Sequence, residues 1–219
     1  MRATLDEPPR ETDAVVVACP PHPQHGGNRT DRRLIAVSDA LTSNEERPIA
    51  CLRIDYGPWD EGHGELEDVT HAISWASERY DHVGLFGFSF GSALAVLAAA
   101  DSAFDTGDVE LEAATDDALE SASDATASNG SAIDAVAALA PPSRLGPDLD
   151  VLAALEDLSM PGLIAYGVRD TTVDWESVVE RAGELGHRRL EFSADHFFVG
   201  QHESVADEIG SFFAETVGI

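Results

Sequence analysis

Residues 83–100 read VGLFGFSFGSALAVLAAA: two apolar runs of different character joined by a glycine-flanked serine. The first run, 83–86, is short and bounded by glycine, which predicts a buried strand. The second, 91–100, is apolar on nearly every side of a helical wheel and therefore predicts a buried helix. Between them Gly87-Phe88-Ser89-Phe90-Gly91 forms a G-x-S-x-G. A serine in that place sits on a sharp strand-to-helix turn with its hydroxyl raised above the sheet edge, and the glycines let strand and helix backbones approach closely. The helix start also offers the Phe90 N–H to a developing oxyanion. With 18 Gly and 17 Ser in 219 residues, the five-letter pattern arises by chance roughly 0.1 times per chain, so its position, not its letters, carries the information.

Working outward, Ala14–Cys19 and 49–54 predict strands, and 30–41 and 65–80 predict helices with apolar residues at Leu34, Val37 and Leu41 and at Leu66, Val69, Ile73 and Ala76. Downstream, strands are expected at 135–140, 162–166 and Arg188–Phe192, and helical segments at 149–158, 174–185 and 204–216. Strands alternating with helices imply a three-layer α/β/α sandwich on a mostly parallel sheet of about six strands, without a large cap domain. Such sheets bind ligands beyond the carboxyl ends of their strands. At 219 residues the chain reads as one domain, 1–219.

The charge is unusual. Forty-one acidic residues face 13 basic ones, every one of them Arg, for a net −28. Charge of that size repels itself at low ionic strength, whereas at molar salt the Debye length shrinks to about 3 Å. The composition therefore points to a salt-adapted, halophilic protein. The same charge argues against nucleic-acid and anionic-membrane partners, which need basic patches. Ten of the acidic residues lie between Asp101 and Asp134 with no basic residue among them, which marks an insertion at about 101–134 rather than core. Residues 1–13 are polar, and no apolar stretch is long enough to span a membrane, so a cytoplasmic location is expected. Cys19 and Cys51 lie inside strand-like runs and read as buried thiols or, as the lesser alternative, a bridge.

Two further constellations sit in loops just after strands. Tyr166-Gly167-Val168-Arg169-Asp170 presents a carboxylate; Asp174, four residues on, competes with it but reads as a helix cap. Asp195-His196-Phe197-Phe198 presents a histidine. The chain order Ser89, Asp170, His196 is the order of a serine-hydrolase triad on this kind of sheet, and all three fall at one sheet edge. Trp59, the 141–145 loop and Phe197 should border an open site holding a small acyl substrate. His22, His25 and His63 lack a metalloprotease spacing and lie in or near a Pro-rich loop, so no metal is expected.

On these residues the chain resembles the α/β-hydrolase superfamily, and within it the compact serine hydrolases grouped with dienelactone hydrolase-like proteins. The likeness rests on Pro21-His22-Pro23-Gln24-His25-Gly26-Gly27, the G-x-S-x-G, Asp170 and Asp195-His196-Phe197-Phe198, and runs from about Ala14 onward. It implies Ser89 as nucleophile, His196 as base, Asp170 as acid, and Gly27 as a second oxyanion N–H beside Phe90, with no cofactor. True dienelactone hydrolases use cysteine where Ser89 stands. The same triad would serve an esterase, a thioesterase or an acyltransferase, and the fold also serves non-catalytic binding proteins.

Overall fold

A computed structural model describes residues 2–104 and 133–217. In chain order the elements are β1 (Arg2–Asp6), β2 (Ala14–Cys19), α1 (Arg32–Thr42), β3 (Ala50–Asp55), α2 (His63–Ser77), β4 (His82–Phe88), α3 (Phe90–Phe104), β5 (Ala135–Leu139), α4 (Val151–Glu156), β6 (Gly162–Gly167), α5 (Glu176–Glu184), β7 (Arg188–Phe192) and α6 (His202–Thr216). The strands form one sheet in the order β1-β3-β2-β4-β5-β6-β7, parallel throughout except at β1.

The sheet thus has seven strands where about six were expected. The extra one, β1, pairs antiparallel with β3. Its sequence RATLD alternates polar and apolar residues only through Ala3 and Leu5, too short a pattern to stand out in a polar segment, and tertiary pairing makes it a strand. Polar ties hold it: Arg53 donates to Asp6 from Nε at 2.6 Å, Ser38 donates to Asp6 at 2.7 Å, and Arg29 Nε donates to Thr4 at 3.0 Å.

β2 and β4 are buried almost from end to end, as strands covered on both faces must be. Helices α2 to α5 pack on one face and α1 with α6 on the other. Leu94 and Val96 of α3 are wholly buried, each worth on the order of 2 kcal/mol of apolar burial. Cys19 packs among the side chains of the first face and Cys51 among those of the second, so the sheet itself separates the two thiols. Both are free and buried, and burial pushes the Cys51 thiol up to about 12.

Helix α3 begins at Phe90, one residue before the expected start, and continues to Phe104. Of the expected acidic insertion only its two ends, 101–104 and 133–134, are described; the rest lies outside the described residues. Among the described residues no helix is long and apolar enough to cross a membrane.

Candidate active site

β4 ends at Phe88 and α3 starts at Phe90, which leaves Ser89 alone at the junction with φ 53°. A non-glycine residue held left-handed costs about 1–3 kcal/mol and persists only where its surroundings over-determine it. Here they do. The Ser89 N–H donates to the Leu139 carbonyl at 2.8 Å, and its own carbonyl accepts from Ser92 N–H at 3.0 Å. The glycines are required by contact: a Cβ on Gly87 would stand 2.1 Å from the Gly91 carbonyl oxygen, and one on Gly91 2.3 Å from that of Cys19.

Asp170 follows β6 in a turn pressed against the histidine loop. Arg169 N–H donates to the Ala194 carbonyl at 2.9 Å, and a Cβ on Gly167 would meet that same oxygen at 2.6 Å. The Asp170 Oδ1 accepts from Thr172 N–H at 2.8 Å, leaving Oδ2 to face His196 Nδ1 at 2.7 Å. His196 Nε2 stands 2.9 Å from Ser89 Oγ. A carboxylate only accepts, so Nδ1 carries the ring proton and Nε2 accepts from the serine hydroxyl. The His196 and Asp170 side chains are 6% and 1% exposed, so water does not compete for the pair.

Asp174, read from sequence as a helix cap, is not one. The N-cap position of α5 is Trp175, with no side-chain bond. The Asp174 carboxylate instead accepts from the Ser143 N–H at 3.2 Å and from its hydroxyl. Burial would raise its pKa, but these donated bonds outweigh burial and hold it below the usual carboxylate value. Asp174 thus fastens the 141–145 loop rather than facing His196.

The turn after β2 also departs from expectation. The Gly27 N–H, expected to serve an oxyanion, donates to the His22 carbonyl at 3.1 Å, and a Cβ on Gly27 would lie 2.0 Å from the Pro21 carbonyl oxygen. Gly27 is therefore glycine for want of room, and its N–H is already committed. The Phe90 N–H, first in α3, has no acceptor within its helix.

Ser89, Phe90, His196, Gly27, Trp59 and Phe197 all line one cleft of about 670 Å³, and Pro142, Arg144 and Leu145 of the 141–145 loop close another side. One wall is a run of rings: His22 stacks on His25 and lies against Trp59, both at 4.5 Å between centroids, and Phe90 lies 5.0 Å from His22. The cleft also contains Asp31 and Arg33. Sequence reading missed them because the start of α1 showed only apolar periodicity. Among the described residues no three His, Cys, Asp or Glu side chains converge on a point that could hold a metal ion.

No protein-family model and no curated protein matches the chain. Solved structures do. An α/β serine hydrolase homologue from Coxiella burnetii superposes with a TM-score of 0.72 at 20% identity, covering 96% of this chain and 90% of its own. An α/β serine hydrolase without a lid from Xanthomonas campestris gives 0.69 at 19% identity, covering 97% and 88%. A dienelactone hydrolase from Anabaena variabilis gives 0.69 at 20% identity, covering 98% and 91%. The seven-stranded sheet, the strained serine and these likenesses agree: the protein has the α/β-hydrolase fold.

Proposed function

We propose that the protein is a serine hydrolase that cleaves a carboxylic ester through an acyl-enzyme on Ser89. The observation that carries this reading is the unbroken chain from Ser89 Oγ through His196 to Asp170, with links of 2.9 and 2.7 Å. As Ser89 Oγ attacks the acyl carbonyl, His196 Nε2 takes its proton, and Asp170 holds the Nδ1–H tautomer and stabilises the imidazolium. The imidazolium then protonates the departing alcohol. Water, deprotonated by the same nitrogen, releases the acid and restores the serine. The Phe90 N–H receives the oxyanion, a contribution of about 3 kcal/mol per donor. With Gly27 committed elsewhere, the second donor in this reading is the N–H of His22, a residue that lines the cleft and whose N–H donates to no backbone carbonyl among the described residues. The chemistry of these residues needs no cofactor. The lidless serine hydrolase and the dienelactone hydrolase of the same fold support a hydrolytic role.

The net charge of −28 supports a salty cytoplasm as the working medium, so activity belongs in molar KCl. The test is labelling by a fluorophosphonate probe in that buffer, wild type beside Ser89→Ala. Labelling of the wild type alone is expected, together with hydrolysis of p-nitrophenyl butyrate. A folded wild type that neither labels nor hydrolyses any ester would point instead to a binding protein.

A further inference from the structure

Arg33 touches three parts of the site at once. Its Nε donates to Asp31 Oδ1 at 2.8 Å and its Nη2 to Asp31 Oδ2, while Nη1 reaches across to the carbonyl of Phe197 at 3.1 Å. Its guanidinium carbon lies 4.2 Å above the centre of the Phe88 ring, and that ring lies 5.3 Å from the ring of His196. The Arg33 side chain is 14% exposed and that of Asp31 11%.

We propose that Arg33 is a positioning residue that holds the His196 loop against the serine turn, acting through the Phe197 carbonyl on one side and the Phe88 ring on the other. This rests on the serine-hydrolase reading above. The loop needs such a tie. It follows β7, the edge strand of the sheet, and carries Phe198 at φ 52°. Phe198 is wholly buried and anchors the far side of the loop, but Phe197, next to His196, is 52% exposed and adds little apolar burial of its own. The Asp170 turn grips the loop from the β6 side through Ala194. From the opposite side Arg33 reaches the carbonyl next to His196, joined by His202 Nε2, 3.3 Å from the same oxygen.

The residue type fits the task. A planar guanidinium can face a carboxylate with two nitrogens, a carbonyl with the third and a ring with its flat side; an ammonium is a point charge and cannot. Asp31, itself fixed as the N-cap of α1, neutralises the guanidinium, so the tie adds no net positive charge beside an imidazolium that must form. Three of the five Arg33 N–H groups donate to the protein and Asp31 offsets its charge, which favours a tie over an anchor for an anionic substrate.

The test uses Arg33→Ala and Arg33→Lys in the whole protein in molar KCl, with p-nitrophenyl butyrate and the fluorophosphonate probe. A displacement of about 1 Å costs up to a hundredfold. Both variants should therefore lose between about 10- and 100-fold in kcat and in labelling rate, with KM within about threefold of wild type. Methylguanidinium should restore part of the activity of Arg33→Ala, and none to Arg33→Lys or Ser89→Ala. Hydrogen exchange of amides 195–199 should quicken in both variants while that of β4 and α3 stays as in wild type. A rise in KM at unchanged kcat would make Arg33 a substrate contact and overturn the proposal. So would losses that follow global unfolding and resist methylguanidinium. If the wild type hydrolyses nothing, the hydrolase reading fails by itself, and unchanged exchange at 195–199 would still overturn the tie.

Discussion

Two of the tight turns at the carboxyl edge of the sheet, one at Ser89 between β4 and α3 and one from Pro20 to Gly27 after β2, use glycine for different purposes. At Ser89 the constraint comes from afar: Gly91 lies under the Cys19 and Pro20 carbonyls, so helix, nucleophile and β2 are locked together in the core. In the second turn the constraint is internal. Gly27 is crowded by Pro21 and bonded to His22, both of the same turn. The nucleophile is thus set by the sheet, whereas the His22 and His25 part of the aromatic wall is set by a local turn tied to the sheet at Pro20. Interior packing resists displacement; surface turns relax.

The sharpest way to break this comparison is to add one methyl group at each place. Gly91→Ala puts a Cβ 2.3 Å from the Cys19 oxygen, which cannot retreat without pulling the end of β2 from the sheet, and 2.4 Å from the Pro20 oxygen that begins the second turn. The expected cost exceeds about 4 kcal/mol, among the largest for a single substitution. It should appear as failure to fold, or as a fall in the urea midpoint that abolishes probe labelling. A melting temperature within a few degrees of wild type would show that the serine turn is not locked as described.

The second turn should yield less, and unequally at two adjacent glycines. Gly27→Ala meets the Pro21 oxygen at 2.0 Å, but the turn can open outward, so about 2 kcal/mol is expected, with slower labelling as His22 moves. Gly26 has φ 87° and open space around it, so Gly26→Ala carries only the left-handed penalty of about 1 kcal/mol and should label at nearly the wild-type rate. Urea unfolding of the two variants decides the matter. The reverse ranking would mean that backbone strain, not crowding, shapes the turn.

The same contrast explains what the sequence disclosed. The serine turn was legible because its constraints are written in consecutive letters: apolar strand, Gly87, Ser89, Gly91, apolar helix. The parallel sheet was legible through the runs from Ala14, Ala135 and Gly162. β1 was not, since RATLD is a strand only because β3 lies beside it. Asp174 read as a cap because acids precede helices often, yet its partner Ser143 lies 31 residues back. Arg33 was hidden for a like reason: its tie to Phe197 spans 164 residues, and no local pattern signals a contact of that separation. Gly27 was placed by resemblance alone, and resemblance carried the turn but not the direction of its N–H.

A finer probe separates the two turns by pH, since the serine turn Gly87-Phe88-Ser89-Phe90-Gly91 has no titrating carboxylate or imidazole while the second holds His22. Burial against Trp59 and Phe90 lowers the His22 pKa, the nearby His25 lowers it further, and Glu65 opposes both. A histidine with a lower pKa folded than unfolded contributes fully above its unfolded value, near 6.5. That contribution is lost as the pH falls through 6.5 toward the folded value. Acidification from pH 7.5 to 5.5 should therefore weaken wild type slightly more than His22→Gln, whose amide does not titrate. His187, also lowered by burial, is common to both proteins and cancels in the difference. Melting temperatures of the pair in molar KCl, where screening suppresses the contribution of distant surface charge, should diverge by a degree or two at the acid end. Parallel curves would place His22 outside the balance that holds the turn, leaving the Gly27 contact to set its shape.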